Sequence, residues 1–272
     1  MFHESAEETE DTLLTKVSND DIANGVKDEF GALYSPDGKR LLRGVASGSY
    51  CIKPGTQVIC DLAFDYVIWS LGHAENAVTK RERLTEITIP DSVTHIGNHA
   101  FSSCEALTSI TLPKSVTFIG SAAFSYCKGL TSITLPDSLT HIGDDAFYGC
   151  EGLSSINIPD SVTHIGECAF SFCIGLTSIS IPYSIIRIGD FVFSCCIGLR
   201  IITIPDSVTH IGFAAFEDCR RLANISIPNS VSHIGEDAFN NCEALAEIHI
   251  PAGSYDKFKR LIPGLEDKFV ES

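Results

Sequence analysis

Histidine recurs at one position of a 23-residue repeat, and imidazole can bind a metal ion or take up a proton near neutral pH. Five of seven consecutive units carry it, so imidazoles of adjacent units would lie side by side. The other two units carry Phe118 and Arg187, which favours a position for flat, stacked side chains over metal ligation or a pH response. We therefore expect no bound metal. The histidines are His95, His141, His164, His210 and His233.

Seven of the eleven cysteines also keep the 23-residue step. Thiols on adjacent strands would be about 5 Å apart, but their parallel Cβ vectors disfavour bridging. The odd total argues against a full disulfide framework. We interpret the seven as buried thiols that pack as small hydrophobic side chains. They are Cys104, Cys127, Cys150, Cys173, Cys196, Cys219 and Cys242, while Cys51, Cys60, Cys168 and Cys195 lie off this column.

Catalytic chemistry is not indicated. A catalytic residue is a singular residue beside its partners, whereas the serines, histidines, aspartates and cysteines here mostly repeat in every unit, as scaffold positions do. The sequence has no phosphate-binding loop, zinc motif or nucleophile elbow. We expect neither enzymatic activity nor a cofactor.

The unit Leu130–Gly152 (LTSITLPDSLTHIGDDAFYGCEG) shows how the elements are built. Leucine and isoleucine alternate with serine and threonine at its start, which predicts a strand with one buried face, ended by Pro136. We expect Gly143 to adopt a backbone conformation that other residues avoid. Asp144–Phe147 predicts a helical or 3₁₀ turn, with Phe147 and Cys150 on one inward face.

Seven such units follow one another from Leu84 to Pro251, and a period of this length indicates stacked coils that bury a shared core. Their pattern, L-x-x-I-x-I-P-x-S-V-x-x-I-G-x-x-A-F-x-x-C, resembles the BspA-type leucine-rich repeat. The resemblance implies an α/β solenoid, a right-handed leucine-rich-repeat superhelix with parallel strands. It also implies a non-enzymatic protein that is often found at cell surfaces and acts in adhesion or protein binding.

Four segments follow from this pattern. We predict an acidic flexible tail over 1–29, an N-terminal region over 30–83, the solenoid over 84–250 and a C-terminal capping helix over 251–272. The N-terminal region comprises a capping hairpin built on Ala32–Tyr34 and Arg40–Leu42, a degenerate first coil ending at Ala63-Phe64, and an insertion. Ser254 is the predicted N-cap of the closing helix, in which Tyr255, Phe258, Leu261 and Ile262 share a face.

The net charge of −16 disfavours nucleic acid and anionic membranes as partners. It would attract a protein with a cationic surface, although solubility alone explains the charge equally well. No apolar run is long enough for membrane insertion. Because the acidic start lacks the signature of an export signal, the sequence as written predicts a cytoplasmic protein, although the family it resembles is often secreted or surface-bound. The sequence leaves the oligomeric state open.

Candidate binding residues are those that depart from the repeat. The fifth unit and the strand after it place aromatic, aliphatic and arginine side chains where other units have polar residues, a composition typical of interface centres. Drift between duplicated units is the alternative, and these residues need not form one patch. They are Tyr183, Arg187, Phe191, Arg200, Ile201 and Phe213.

The insertion after the degenerate coil holds Tyr66 and Trp69, the only tryptophan. It is either a flap that packs on the cap or a binding loop with an aromatic anchor. Taken together, the sequence favours a non-catalytic protein-binding or adhesion module. The alternatives are a structural or self-associating repeat protein and, less favoured, a glycan or matrix binder that uses the Ser/Thr strand faces.

Overall fold

The computed structural model describes residues 10–45, 48–65 and 84–272. They form a parallel-strand solenoid with one degenerate coil and seven regular coils, which we number 1 to 7 from Leu84. Coil 1 is 84–106, and each later coil begins 23 residues after the one before. The predicted leucine-rich-repeat solenoid is confirmed.

The N-terminal region contains two short helices and five strands among the described residues. The hairpin pairs β2 with β3 in antiparallel fashion, and its turn is closed by a hydrogen bond from the Gly38 N–H to the Ser35 carbonyl. The elements are α1 (Glu10–Thr15), α2 (Asn19–Asn24), β1 (Val26–Lys27), β2 (Leu33–Tyr34), β3 (Arg40–Arg43), β4 (Gly48–Cys51) and β5 (Val58–Ile59).

Each regular coil contributes a longer strand and a two-residue strand. The longer strands of the seven regular coils are β6 (Leu84–Thr88), β8 (Ser109–Thr111), β10 (Ser132–Thr134), β12 (Ser155–Asn157), β14 (Ser178–Ser180), β16 (Ile201–Thr203) and β18 (Asn224–Ser226), and β20 (Glu247–Ile250) follows coil 7 in the same ladder. The short strands are β7 (His95–Ile96), β9 (Phe118–Ile119), β11 (His141–Ile142), β13 (His164–Ile165), β15 (Arg187–Ile188), β17 (His210–Ile211) and β19 (His233–Ile234). After β20 come α3 (Tyr255–Leu261), a 3₁₀ helix (Glu266–Lys268) and β21 (Phe269–Glu271).

Both sets of strands pair in parallel with equivalent residues of the next coil, for example Ser109 with Ser132. Neither ladder is continuous among the described residues. Strand pairing in the longer ladder is interrupted between β6 and β8 and between β10 and β12, and in the short ladder between β13 and β15. Each joint between regular coils therefore keeps at least one paired ladder.

The core is a column of stacked phenylalanine rings along the solenoid axis. From Phe64 to Phe239, successive ring centroids lie 5.0–5.8 Å apart with interplanar angles of 2–13°. Phe147 and Cys150 are both fully buried, as the repeat predicts. The rings are Phe64, Phe101, Phe124, Phe147, Phe170, Phe193, Phe216 and Phe239.

The side of the coil that carries these rings is not helical, which corrects the expected helical or 3₁₀ turn. Asp145 and its equivalents have positive φ, as do the residues four positions later, so the segment is a series of linked β-turns. Three N–H groups of the turn segment in each of coils 1–6 donate to carbonyls of the next coil, as in Asp145 to Glu167, Phe147 to Ala169 and Gly149 to Ser171. We call these bonds the turn ladder.

The turn ladder is the one backbone ladder that is complete at every joint between the seven regular coils. All six joints carry the same three bonds, with N···O distances of 2.7–3.0 Å. A helix would direct its N–H groups along its own axis, whereas alternating right- and left-handed residues direct every second N–H at the next coil. Hydrogen bonds between turn segments, and not a helix, therefore join the coils on this side of the solenoid.

Gly143 recurs in every coil because the preceding coil approaches it closely, and not because of the unusual backbone conformation that we expected. Its φ is not among the positive values, but an added Cβ would lie 2.6 Å from the backbone nitrogen of Ser121 in the preceding coil. A side chain at this position would force the coils apart. The residue two positions later, Asp145, adopts the left-handed conformation instead.

The N-terminal segment differs from the expected mobile tail from Glu10 onward. Thr15 is fully buried and its carbonyl accepts a hydrogen bond from the N–H of Asp61 at 2.9 Å. Asp11 lies 2.9 Å from His95 Nε2, and Arg40 forms an ion pair with Asp21 at 3.0 Å. The two helices therefore pack on the hairpin and the first short strands.

The C-terminal cap contains the predicted helix, in which Phe258 and Ile262 are buried. Tyr255, expected on the same buried face, is 40% exposed and lies edge-on to Phe269. Ser254 precedes the helix, but its hydroxyl donates to the Pro251 carbonyl and not into the helix. The sequence did not predict β21, which pairs in parallel with β20 and covers the last longer strand.

Candidate functional site

The residues that depart from the repeat lie at three separate places on the solenoid. Tyr183 is 72% exposed at the turn between β14 and β15, and Arg187 is exposed on β15. Arg200 and Ile201 lie at the start of β16 on the outer face of the longer strands, where Ile201 is 63% exposed beside Ser178.

Phe191 and Phe213 form the third group, on the turn side. Their rings meet edge to face at 5.2 Å, and Phe213 is 38% exposed. The six predicted residues among the described positions therefore do not form one patch. Tyr66 and Trp69, with the rest of the insertion, lie outside the described residues.

A larger exposed cluster, which the sequence analysis missed, follows the turn side of coils 2–5. The Tyr148 ring lies 5.2 Å from the Tyr126 ring and 5.3 Å from the Phe172 ring. The Ile174 N–H bonds to the Phe172 carbonyl, and Ile197 occupies the equivalent position in the next coil. We call Tyr126, Tyr148, Phe172, Ile174 and Ile197 the turn-edge patch.

Side chains of the turn-edge patch are exposed without being isolated. Tyr126 and Phe172 are each 44% exposed, and Ile174 and Ile197 are 39% and 38% exposed. Burial and the neighbouring Tyr126 raise the pKa of Tyr148 to about 12. The patch is an apolar strip that crosses successive coils, a feature that marks interaction sites on soluble proteins.

Backbone conformation sets two members of the patch apart. Tyr126 and Phe172 have φ of 57° and 59°, in the left-handed region that costs an L-residue about 1–2 kcal/mol. Equivalent positions in other coils carry Gly149, Asp218 and Asn241, types that tolerate this conformation, and the small residues Ser103 and Cys195. Comparing this one column of the repeat would have revealed the patch, since bulky aromatics stand where glycine or asparagine suits the backbone.

Acidic residues accompany the patch on the turn side. Asp144 accepts a hydrogen bond from the Glu167 N–H at 2.9 Å, and Asp190 accepts one from the Phe213 N–H at 2.8 Å. Lys128, the cation next to the patch, is paired with Glu151 at 2.8 Å. A partner of this surface would meet apolar side chains flanked mainly by negative charge.

Departures in coil 5 also have a structural consequence. Thr140 and Thr163 each bridge to the preceding coil through backbone and hydroxyl, whereas Ile186 at the same position has no hydroxyl. Within residues 84–272, the N–H groups of Ile186 and Gly189 lack the bond to the preceding coil that their equivalents make. The short ladder is therefore open between coils 4 and 5.

Val192 explains the opening. The other six coils have alanine here, and Val192 is fully buried beside a narrow gap that Ile165 and Ile188 also line. An added Cβ on Gly189 would find its nearest neighbour at 3.4 Å, on Val192, and no backbone of the preceding coil within that distance. The two extra methyl groups act as a wedge between the coils.

The histidine column stacks as the sequence predicts. His141 lies 4.7 Å from the Phe118 ring and 4.4 Å from the His164 ring, nearly parallel to both. Burial and the neighbouring His164 lower the pKa of His141 to about 4. Within the described ranges, no group of three or more histidine, cysteine, aspartate or glutamate side chains is placed to hold a metal ion.

The column cysteines are buried, with Cys242 half-buried at the end of the array. Each thiol donates to the carbonyl of the core phenylalanine in the preceding coil, as Cys150 does to Phe124 at 3.2 Å. Burial raises the pKa of Cys127 and Cys173 to about 12, so these thiols are protonated at neutral pH. They act as hydrogen-bond donors as well as small hydrophobic side chains.

Comparison with known protein families identifies the family of this repeat. The model of the BspA type leucine rich repeat region matches in six copies, over 74–171 and 140–260. The chain belongs to the BspA-type leucine-rich repeat family. Among curated proteins, no relative matches.

Solved structures similar to this BspA-type chain are bacterial repeat proteins. A leucine rich cell surface protein from Faecalibacterium prausnitzii is 31% identical, with a TM-score of 0.52, over 79% of this chain and 62% of its own. The T. pallidum leucine rich repeat protein is 28% identical, TM-score 0.58, over 71% and 87%. A leucine-rich repeat protein from Bacteroides ovatus is 27% identical, TM-score 0.50, over 90% and 73%.

Repeats of the BspA type are typical of surface and binding proteins. The chain spans about 62% of the length of the Faecalibacterium protein. In the part of this BspA-type chain that the structure describes, no helix has the length and apolar character needed to span a bilayer.

Proposed function

We propose that this chain is a non-catalytic protein-binding module that holds its partner against the turn-edge patch of coils 2–5. The observation that carries the proposal is the pair of exposed aromatic residues in left-handed conformation, Tyr126 and Phe172. The turn ladder accounts for the left-handed conformation at this position in coils 1–6, but it does not account for the choice of two large aromatic side chains there. Both rings are 44% exposed, so packing within the chain covers only part of their apolar surface.

The chemistry of the patch favours a protein partner. Aromatic and aliphatic side chains on a rigid scaffold form the centre of protein interfaces, where they exclude water from the surrounding contacts. Net charge of −16 and the acids Asp144, Glu167 and Asp190 favour a partner with a cationic rim around an apolar centre. Adhesion at a cell surface belongs to the same proposal, because the similar Faecalibacterium protein is a leucine rich cell surface protein.

A second candidate surface is the one that the sequence indicated. Ile201 and Tyr183 are the most exposed apolar side chains of coils 5 and 6, and Arg200 stands beside Ile201. Their position at the outer strand face and its corner supports a separate contact. Self-association and glycan binding through the Ser/Thr strand face are the remaining alternatives.

The test is a double variant, Tyr126→Asn with Phe172→Asn. Asparagine relieves the left-handed strain, so we expect the free energy of unfolding to stay the same or rise by about 1 kcal/mol. Affinity for the partner should fall by about 1–3 kcal/mol, because two aromatic anchors are lost. Ser103→Asn, at the equivalent position of coil 1 with φ of 60°, is the matched control: it makes the same backbone change without removing an aromatic ring, so affinity should stay the same.

The partner is identified by capturing binding proteins on three chains: the unmodified chain, the double variant and the control Ser103→Asn. Proteins retained by the unmodified chain and by Ser103→Asn, but not by the double variant, are measured by titration calorimetry with each chain. Equal retention by all three chains would reject the turn-edge patch. A loss confined to Arg200→Thr with Ile201→Ser would move the site to the strand face, and concentration-dependent sedimentation without a partner would favour self-association.

A further inference from the structure

The turn ladder is complete at every joint between regular coils but has no following coil after coil 7. In the joint before it, Ala214, Phe216 and Asp218 donate to the carbonyls of Glu236, Ala238 and Asn240 at 3.0, 2.9 and 2.9 Å. The equivalent donors of coil 7 are the N–H groups of Asp237, Phe239 and Asn241. Within the described part of the chain, none of these three has an acceptor.

The C-terminal cap leaves this edge open although it covers the rest of the last coil. Strand β21 pairs with β20, and Phe258 of α3 is fully buried against the core. In front of the turn segment, by contrast, lies a cavity of about 600 Å³ between coil 7 and residues Leu261, Ile262 and Leu265. This volume lies within the range of about 300–1,000 Å³ typical of ligand-binding pockets.

Interior joints show what chemistry such an edge binds. Each set of three donors meets carbonyls of residues i, i+2 and i+4 in the next turn segment, as Phe191, Phe193 and Cys195 meet Phe213, Ala215 and Glu217. The phenylalanine at i+3 stacks on the ring of the donor coil, at 5.5 Å between Phe193 and Phe216.

Phe239 is the last ring of the stack, and it lines the cavity with its neighbour Cys242. The cavity thus offers three backbone donors beside an apolar wall that includes Ile234, Leu261 and Leu265, while the Phe239 ring itself is only 6% exposed. Its rim carries Glu236, Asp237 and Glu243, which disfavours a bound anion and favours basic flanking residues.

We propose that this cavity binds a turn-forming peptide segment of another protein. The segment would present three backbone carbonyls to the N–H groups of Asp237, Phe239 and Asn241 and place an aromatic side chain in the cavity against Leu261 and Leu265, with basic residues outside the acidic rim. The site is independent of the turn-edge patch, because it lies at the end of the array and uses backbone donors.

The probe is a blocked synthetic peptide with the sequence of Ile211–Arg221 carrying Cys219→Ser, which contains an interior turn segment and ends in Arg220 and Arg221. Added to the full chain, it should slow hydrogen exchange at the amides of Asp237, Phe239 and Asn241 at least tenfold at saturation. The same peptide with Phe216→Ala should bind at least tenfold more weakly, because it lacks the ring that fills the apolar part of the cavity.

Leu265→Trp on the protein side should weaken peptide binding at least tenfold by filling the cavity, whereas Ile201→Ser on the strand face should leave it unchanged. If Leu265→Trp does not fold, the exchange data on the unmodified chain decide. The proposal is overturned if the three amides are not protected, or if inorganic phosphate protects them as strongly as the peptide. Protection that appears without peptide, together with a dimer in sedimentation, would assign the edge to a second copy and also overturn it.

Discussion

The joint between coils 2 and 3 and the joint between coils 4 and 5 are built from the same repeat but differ in strand pairing. We call the first the closed joint and the second the open joint. At the first, both strand ladders pair, through Ser109 with Ser132 and Phe118 with His141. At the second, the longer strands pair and the short strands do not. The core rings are also further apart, at 5.8 Å between Phe170 and Phe193 against 5.4 Å between Phe124 and Phe147.

The difference shows which contacts the solenoid depends on. Coil 5 lacks the bridging hydroxyl at Ile186, interrupts the ring column at Arg187 and carries the wedge at Val192, yet the array continues through it. The phenylalanine stack and the turn ladder persist at this joint, as at every other between regular coils. Strand pairing on one side is therefore dispensable locally, whereas the aromatic core and the turn ladder are common to all joints.

The largest expected effect comes from removing a core ring at the closed joint. Phe147→Ala should lower the free energy of unfolding by about 3–5 kcal/mol, because the cavity cannot be filled by either neighbouring coil. Phe193→Ala, at the open joint, should cost at least about 1 kcal/mol less, since its ring is already further from one neighbour. Chemical denaturation of both variants measures the difference, and equal losses would mean that the two joints are packed alike.

Transfer of the wedge to the closed joint is the next test. Ala146→Val should cost about 1–3 kcal/mol through overpacking. The amides of Thr140 and Gly143 should exchange faster, because they bond to the preceding coil at the positions that are open at Ile186 and Gly189. Unchanged exchange at Thr140 and Gly143 would show that valine alone does not open a joint.

Acidification should lower the free energy of unfolding through His141, which lies at the closed joint. Its folded pKa of about 4 lies below the unfolded value of about 6.5, so the unfolded state binds the proton more readily. The stabilising contribution is present above pH 6.5 and is lost as pH falls towards 4. We expect a loss on the order of 1–2 kcal/mol, reduced from the full shift because the ring is partly exposed.

Substitution tests the assignment to this ring. His141→Phe copies the residue found at this position in coil 2 and should flatten the dependence of unfolding free energy on pH between 4 and 6.5. Thr134→Ala, on the strand of the same coil, should keep the slope of the unmodified chain. An unchanged slope in His141→Phe would assign the pH dependence to other groups.

The smallest effect is expected from repairing the open joint. Val192→Ala with Ile186→Thr restores the common pattern and should change the free energy of unfolding by less than about 1 kcal/mol, because closer approach of the coils offsets the lost methyl groups. Hydrogen exchange at the amides of positions 186 and 189 should slow to the rates of the equivalent amides of Thr209 and Gly212. Fast exchange in the repaired chain would show that the opening does not depend on these two side chains.

Much of the fold was predictable because a repeated pattern samples each position several times. The alternation of Leu130, Ile133 and Leu135 with hydroxyl residues identified the strand, and the recurrence of Phe147 and Cys150 identified the core. The candidate site was less predictable. Departures such as Ile201 were visible in the sequence, but they lie on different faces. The turn-edge patch was missed because Tyr126 and Phe172 belong to a variable column of the repeat, whose shared left-handed conformation is visible only in the structure.

By itself, the sequence determined the period, the buried residues and the number of coils, since each depends on local apolar pattern and on spacing that stacking must preserve. The tertiary structure decided which hydrogen bonds join the coils. Alternating left-handed residues such as Asp145 become favourable only when a neighbouring coil accepts the N–H groups that they direct outward. For the same reason the open edge at Asp237, Phe239 and Asn241 is a property of the array's end, where the same local conformation has no neighbouring coil to meet it.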